Sequence, residues 1–400
     1  MKRSRKLVAS VALLLILLIA TAAPAFAQLP EPFCGSLSEE DCAILIDSQD
    51  ASLAVESSSS YVDVDILIAG IPGLPADELA FNYTQDSVAA LDPALALEIA
   101  QMQQMPADEL MENMDMMTEA VLDLYADIAL DTDISFTMPQ EVADLASAQA
   151  GIEVPNELTA MFRMVDGYGY ANIDELAAQI PELEGFSGWY GIDVLSLMQM
   201  GFEESMSSAN ADSPDMAASF TGFGLTSFLN SEEGRAMLEE YVEIERLDDE
   251  TVDGQDVAVF SSTFDFGRFI GSPVFAEMLM SQRETINTAL DMDLSESQLN
   301  EALSLLPMFG PMLFTGLDFE IIQRIGLEDY YVYESELTFH WDLSSIIAVA
   351  RMADASLELP EGIAPVINFD VINNASDFNS IDPIEAPEDA MVIPLEALQQ

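Results

Sequence analysis

Basic side chains are almost absent from this chain of 400 residues, and no lysine follows Lys6. Four of the 11 Lys and Arg lie within the first six residues, so the remainder carries seven Arg against 72 Asp and Glu, a net charge of about −65. Nucleic acid and anionic membrane surfaces repel such a chain at neutral pH. The simplest interpretation is that the charge keeps a secreted protein soluble. An acidic medium, which protonates carboxylates, or a salty one, which screens them, would also reduce the repulsion.

Catalytic motifs are scarce as well. His340 is the only histidine, and the alternation of its segment places it on a polar face. A Ser-His-Asp triad would depend on this residue, and no Gly-x-Ser-x-Gly elbow is present. The acids could supply a glycosidase pair, but no pair stands out. The sequence therefore predicts that the protein is not an enzyme, with a carboxylate-based hydrolase as the least favoured alternative.

No metal site or cofactor is expected. Segment 291–295 begins like a calcium-binding EF-hand loop, but Glu296 stands at its sixth position and Ala302 at its twelfth. The only two cysteines, Cys34 and Cys42, are half a metal site and lack Cys-x-x-Cys spacing. In an exported protein they predict one disulfide, which would hold the N-terminal segment onto a helix capped by Ser38.

The one long apolar run lies at the N-terminus. Four basic residues precede the run 7–23, and 25–27 has the small residues of a cleavage site. This predicts a secretion signal over 1–27 and a mature chain that is secreted or lies outside the cell envelope. The length of the run also leaves a retained anchor open. Cys34 lacks a lipobox, so no lipid anchor and no membrane span in the mature chain are expected.

The best strand candidate is 331–343, where Leu337, Phe339 and Trp341 alternate with polar residues. Val-Asp-Gly turns at 165–167 and 252–254 predict hairpins over 158–173 and 241–266. Further strands are predicted at 51–56, 61–68, 78–84, 134–138, 317–325 and 366–372, with the serines 57–60 as a turn. Helices are predicted at 38–48, 93–131, 231–238 and 271–314.

These elements predict an α+β fold: one highly curved antiparallel half-barrel sheet of about 10–11 strands, with helices on its concave apolar face. We expect a single domain over 28–388, helical insertions near 93–130 and 271–314, and a C-terminal tail over 389–400. The insertions are rich in Met and Phe. They could close a core or form a movable lid over a cavity, and the pattern favours neither.

Several short motifs carry a resemblance. They are hydrophobic-Val-Asp-Gly-x-x-Tyr at 164–170, Trp-Tyr at 189–190, the second Val-Asp-Gly turn, Phe-Ile-Gly-Ser-Pro at 269–273 and the ending at 378–387. Their order resembles the LolA, LppX and LprG superfamily of exported lipid and lipoprotein carriers. The resemblance implies a half-barrel sheet around helices, an apolar cavity that holds acyl chains and no catalytic residues.

The functional prediction is a secreted, non-catalytic binding protein for lipids or other amphiphiles. Its expected partner is a lipid or other hydrophobic small molecule, with a protein partner as a further candidate and no nucleic acid. The alternative is an interaction or sensor protein on the same fold with a filled cavity. The candidate cavity and lid residues are Met114, Met117, Val121, Phe136, Phe162, Met164, Trp189, Phe264, Phe269, Phe275, Met278, Leu279, Met308, Phe309, Met312, Phe319, Leu337, Phe339 and Trp341.

Overall fold

One large, curved, open sheet organises the residues that the structure describes. This computed structural model describes residues 32–71, 74–103, 114–150, 153–180, 185–200, 232–273, 275–276, 280, 310, 314–353 and 365–395. The strands are β1 (Ser57–Ala69), β2 (Glu78–Ala90), β3 (Ala129–Thr137), β4 (Glu157–Val165), β5 (Tyr168–Asn172), β6 (Trp189–Asp193), β7 (Val242–Arg246), β8 (Glu250–Val252), β9 (Gln255–Phe264), β10 (Leu317–Gly326), β11 (Val332–Asp342), β12 (Val366–Ser376) and β13 (Met391–Val392).

Helices occupy the connections. They are α1 (Glu39–Leu53), α2 (Pro93–Gln103), α3 (Met114–Asp127), α4 (Gln140–Ala150), α5 (Asp174–Gln179), α6 (Glu232–Tyr241), α7 (Phe266–Ile270) and α8 (Ser344–Ala353). A further helical segment covers 194–200. The predicted α+β class with one curved antiparallel sheet is confirmed.

The sheet has 13 strands in the order β13-β6-β5-β4-β3-β2-β1-β12-β11-β10-β9-β7, with β8 paired to β9. All pairs are antiparallel except β13 with β6. Strand β1 pairs with β12 over their whole common length, which places the first and the last long strands side by side at the sheet centre. The sheet exceeds the expected size because β6, β8 and β13 are too short to show a pattern.

Both predicted hairpins form. Asp166 and Gly167 have φ angles of 53° and 75°, and Asp253 and Gly254 have 50° and 86°. Asp-Gly pairs tolerate this left-handed backbone, which a two-residue hairpin turn requires. The turns join β4 to β5 and β8 to β9.

The strand predicted at 51–56 is wrong, and so is the turn predicted at 57–60. Helix α1 starts at the predicted Ser38 cap but continues to Leu53. The serines open β1, where Ser57 to Ser60 pair with Ala90 to Ser87 of β2. Backbone pairing with β2 and β12 outweighs the weak strand preference of serine, since propensity depends on tertiary context.

Two other boundaries differ from expectation. The helical region predicted at 93–131 forms α2 and α3, but its last three residues begin β3. In the predicted tail over 389–400, Met391 and Val392 pair with Tyr190 and Gly191 of β6, so this part of the tail belongs to the sheet. A two-residue strand has no period that sequence analysis could detect.

The pairing register gives the sheet two different faces. Phe339 of β11 lies level with Phe319 of β10 and Phe369 of β12, and the apolar residues of β1 and β2 continue on this side. We call this side the apolar face. The opposite side, the acidic face, carries the alternate residues, among them Asp65 and Glu336.

Helices cover the apolar face at its two flanks. At the β2–β4 flank, Leu130 and Met164 pack with Ala96 of α2 and Leu124 of α3. At the β9–β10 flank, a second cluster joins Leu45 of α1 to strand residues. Its buried strand members are Ala258, Phe260 and Ile325.

Candidate functional site

The three central strands β1, β12 and β11 hold the candidate site. Every residue of these strands is described, and Ser57 is the only buried one among them. In β9, by contrast, the five consecutive residues 257–261 are all buried. The middle of a large sheet would ordinarily be its best-packed part, but the described helices pack these strands less tightly than α1 packs the β9–β10 flank.

On the apolar face, cross-strand neighbours align in three rows of five side chains from β10 to β2. We call these rows the central patch. They are Leu317-Trp341-Ile367-Ile68-Leu79, Phe319-Phe339-Phe369-Ile66-Phe81 and Ile321-Leu337-Val371-Val64-Tyr83. Leu79 is 5% exposed, and each of the others keeps part of its surface accessible.

Aromatic rings border the central patch. Phe314 stacks on Trp341 with ring centres 5.2 Å apart, and Phe266 meets Phe319 edge-on at 5.7 Å. Both rings also line a groove of about 420 Å³ together with Leu317, the end of the first row. The groove therefore reaches the edge of the central patch from the surface.

The structure brings five predicted residues together. Phe319, Leu337, Phe339 and Trp341 belong to the central patch, and Phe136 lies next to it, level with Tyr83. The pattern of residues 331–343 indicated Leu337, Phe339 and Trp341, because β11 keeps its alternation across its whole length. The strand predicted at 331–343 is confirmed within a residue at each end.

Other predicted residues fill cores instead. Phe162 and Met164 face the same side but are only 3% and 2% exposed, within the β2–β4 flank. Phe264, Phe269 and Phe275 belong to an aromatic cluster around Tyr241 of α6. Their rings meet one another edge-on, which is a favoured packing geometry for aromatic side chains.

Trp189 lies on the acidic face and is not part of the site. The guanidinium of Arg163 sits 5.3 Å from the Trp189 ring centre, and Arg163 also pairs with Asp131 at 2.5 Å. Met114, Met117 and Val121 belong to α3. The remaining candidates lie outside the described residues: Met278, Leu279, Met308, Phe309 and Met312.

Sequence reasoning missed the β12 and β2 contributions to the site. Ile367, Phe369 and Val371 lie in the middle of the central patch. The alternation of 366–372 contained this signal, but it could not show that β12 lies between β1 and β11. Phe81 and Tyr83 were likewise assigned only to a strand.

The predicted disulfide Cys34–Cys42 is present, with the two Cα atoms 5.3 Å apart. Between them, Ser38 caps α1 by accepting a hydrogen bond from the backbone N–H of Asp41 at 3.1 Å. Asp41 also lies 3.4 Å from the guanidinium of Arg246, which sits over the ring of Phe260. The disulfide therefore anchors α1 at the β9–β10 flank, away from the central patch.

The acidic face gathers carboxylates around a few arginines. Arg324 contacts Glu250, Glu334 and Glu336 at 2.8, 2.6 and 2.7 Å. Burial raises the pKa of Glu334, as does its hydrogen bond to Glu336, while Arg324 opposes the shift. These contacts are ion pairs of a sheet surface, and no described group of three or more acids, histidines or cysteines could hold a metal ion.

His340 also lies on the acidic face, as predicted. Its Nδ1 is 2.6 Å from Oδ1 of Asn368 in the neighbouring strand, which is a cross-strand hydrogen bond. No helix in the described part of the chain is long and apolar enough to cross a membrane.

Comparison with known proteins finds no matching family model and no matching curated protein. Among solved structures, lipoprotein LppX of Mycobacterium tuberculosis aligns with a TM-score of 0.26 and 10% identity, covering 87% of this chain and 100% of that chain. LprF of Mycobacterium bovis aligns with a TM-score of 0.30 and 10% identity, covering 88% and 98%.

A DUF1329 family protein from Desulfovibrio piger aligns with a TM-score of 0.18 and 9% identity, covering 86% of this chain and 94% of that chain. LppX is one of the proteins that give the resembled superfamily its name.

Proposed function

We propose that this protein binds lipids or other amphiphiles in an apolar space between the central patch and the helices. The observation that carries the proposal is the contrast in burial along one face. Apolar side chains line this face across the sheet, yet those of its flanks include buried residues whereas those of its central strands keep part of their surface accessible. Partly exposed apolar side chains in the middle of a sheet indicate a surface with a transient or exchangeable partner.

The central patch has the size of an acyl-chain site. Five neighbouring strands at about 4.8 Å spacing give a width of roughly 20 Å between the outer strand axes. Each methylene group that leaves water for such a surface contributes about 0.8 kcal/mol. A long acyl chain would therefore bind without any strong polar contact, which suits a carrier that must also release its ligand.

The surroundings support an extracellular role. A disulfide is stable in oxidising compartments, and the N-terminal pattern predicts export. The acidic face would keep the protein away from anionic membrane surfaces, so transfer would occur by capture of dispersed or presented molecules. The proposal involves no chemical step.

The test uses the mature chain, residues 28–400, purified without detergent. Native mass spectrometry and solvent extraction should reveal copurified amphiphiles. After stripping, the protein should take up a fluorescent long-chain alcohol or fatty acid saturably. A protein that carries nothing and takes up no probe would refute the proposal and favour an interaction protein with a filled interior.

A matched pair of variants locates the site. Phe339→Asn places a polar group on the central patch. Thr338→Asn makes the control change at the preceding residue, which lies on the acidic face. We expect the first variant to lower probe affinity at least tenfold, because it replaces an aromatic surface with a polar amide. Thr338→Asn should bind as the parent does, and circular dichroism melting curves check that both variants fold.

A further inference from the structure

A row of five side chains, four of them polar, borders the central patch on the apolar face. One step along the strands from Ile321 and Leu337, the cross-strand row reads Gln323, Ser335, Asn373, Val62 and Gln85. We call it the polar row. The face thus becomes richer in hydrogen-bonding groups within about 7 Å, the spacing of alternate residues in a strand.

The polar row contains an unused hydrogen-bond acceptor. Oδ1 of Asn373 is buried and has no hydrogen-bond partner among the described residues. Gln85, by comparison, is satisfied: its Oε1 accepts the hydroxyl of Tyr83 at 2.7 Å. Nearly all buried polar atoms in proteins find partners, so an orphaned acceptor beside an apolar surface indicates a group that a ligand supplies.

A second unpaired oxygen lies on the same face, three strands away. One row further along, Ser60 and Ser87 hydrogen-bond at 2.8 Å, and the same row continues to Thr132 in β3. Thr132 is 3% exposed, and its Oγ1 has no partner in the described part of the chain. Among the described residues, unpaired oxygens thus occur on this side of the sheet in β12 and β3, and the first row of the central patch holds an unpaired donor, Nε1 of Trp341.

The charged side chains around Asn373 restrict the chemical class of the ligand group that it could bind. Strands β10, β11, β12, β1 and β2 are described in full, and they place no charged side chain on the apolar face. Arg163 and Arg324 lie on the acidic face, and Arg246 is held by Asp41 and Asp249 four strands from Asn373. These five strands would offer a buried phosphate or carboxylate no counter-charge, which is costly.

We propose that Asn373 receives the uncharged, hydrogen-bond-donating head of the bound amphiphile, such as a hydroxyl group or an amide N–H. The chain of the ligand lies on the central patch, towards Trp341. Asn373 is six residues from Ile367, the strand partner of Trp341, so the two ends of the site are about 20 Å apart. This inference rests on the proposed function and names the ligand class.

The first experiment compares ligands on the unaltered protein. Palmitoyl glycerol, methyl palmitate and palmitate share one acyl chain and differ in the head: hydroxyl donors, no donor, or a charge. Each is titrated against a bound fluorescent long-chain probe on the stripped mature protein. We expect palmitoyl glycerol to bind about three- to tenfold more tightly than methyl palmitate, the factor that one net hydrogen bond supplies, and palmitate to bind most weakly.

The second experiment assigns the preference to Asn373. Asn373→Leu removes the acceptor and keeps the size, while Asn374→Leu makes the same change one residue later, on the acidic face. The first variant should bind palmitoyl glycerol no better than methyl palmitate. The control should keep the parental preference.

The outcomes separate the two proposals. If no compound of the series displaces a probe, or no probe binds, the lipid-binding function itself is refuted. If all three compounds bind alike, or palmitate binds best, binding stands and the uncharged-head subsite is refuted. The uncharged-head subsite is likewise refuted if Asn373→Leu and Asn374→Leu show the same preference between palmitoyl glycerol and methyl palmitate. The ligand series on the unaltered protein gives this answer even where a variant does not fold.

Discussion

The flanks and the centre of the apolar face differ in packing although both carry apolar side chains on that face. In the β9–β10 flank, α1 rests on Phe260 and Ile325, which are each 1% exposed. In the centre, Phe339 and Phe369 occupy equivalent positions in their strands but stay partly accessible. The difference shows that apolar residues identify a face that must be shielded from water. The neighbouring helices determine whether protein side chains shield it permanently.

The largest expected effect compares one aromatic ring from each region. Phe260→Ala should lower the free energy of unfolding by about 3–5 kcal/mol, because it leaves a cavity in a packed cluster. Phe339→Ala should cost only about 1–2 kcal/mol, because its ring is already partly exposed. Urea unfolding of the stripped protein measures both values. Equal losses would show that the centre is packed like the flank.

Substitutions that add volume should also distinguish the packed flank from the centre. Ala258 is fully buried in the β9–β10 flank, so Ala258→Val should destabilise the fold by about 1–3 kcal/mol through overpacking. Val371→Phe adds a similar volume in the centre and should leave stability within about 1 kcal/mol, while it reduces probe uptake. A large loss of stability for Val371→Phe would contradict an open centre.

The disulfide separates flank stability from binding. Replacement of both Cys34 and Cys42 by Ser should lower the free energy of unfolding by about 2 kcal/mol, as expected for the short loop that the bond closes. Since α1 covers the flank, probe affinity should stay unchanged at a temperature where the variant is folded. Loss of uptake in a folded variant would link α1 to the site.

The smallest effect concerns the acidic face. Burial raises the pKa of Asp133, and Asp131, Asp86 and Glu175 raise it further, while Arg163 opposes them. A carboxyl whose pKa is higher in the folded state disfavours folding at neutral pH, and this penalty disappears as pH falls towards the unfolded value of 3.8. Because water screens this exposed carboxyl, Asp133→Asn should raise the free energy of unfolding at pH 7 by less than about 0.5 kcal/mol and should not raise it at pH 3.5, which melting curves at the two pH values measure.

Long strands and turns were predictable from the sequence because they carry periodic or stereochemical signals. The alternation of 331–343 located β11, and the Asp-Gly pairs located two hairpins at positive φ angles. Strand β6 gave no such signal. In its five residues Trp189 and Tyr190 are both aromatic, and only the register with β5 puts Tyr190 on the apolar face and Trp189 on the other.

The site itself was predictable only in part. Sequence identified Phe319, Leu337, Phe339 and Trp341, since each lies in a strand with clear alternation. It also named Phe162 and Met164, which face the same side but are buried under helices. Whether a facing residue is covered depends on long-range packing, and the same pattern is compatible with both states. The orphaned Asn373 became visible only once β12 was placed between β1 and β11.

The most direct measurement is site mapping with a photoactivatable long-chain ligand. The stripped mature protein is labelled at saturation, digested, and the modified residues are identified by mass spectrometry. The account predicts saturable labelling of the apolar-face residues of β1, β11 and β12, among them Ile66, Phe339 and Phe369, and competition by unlabelled ligand. Labelling confined to the flanks or to the acidic face, or labelling that does not saturate, would contradict it.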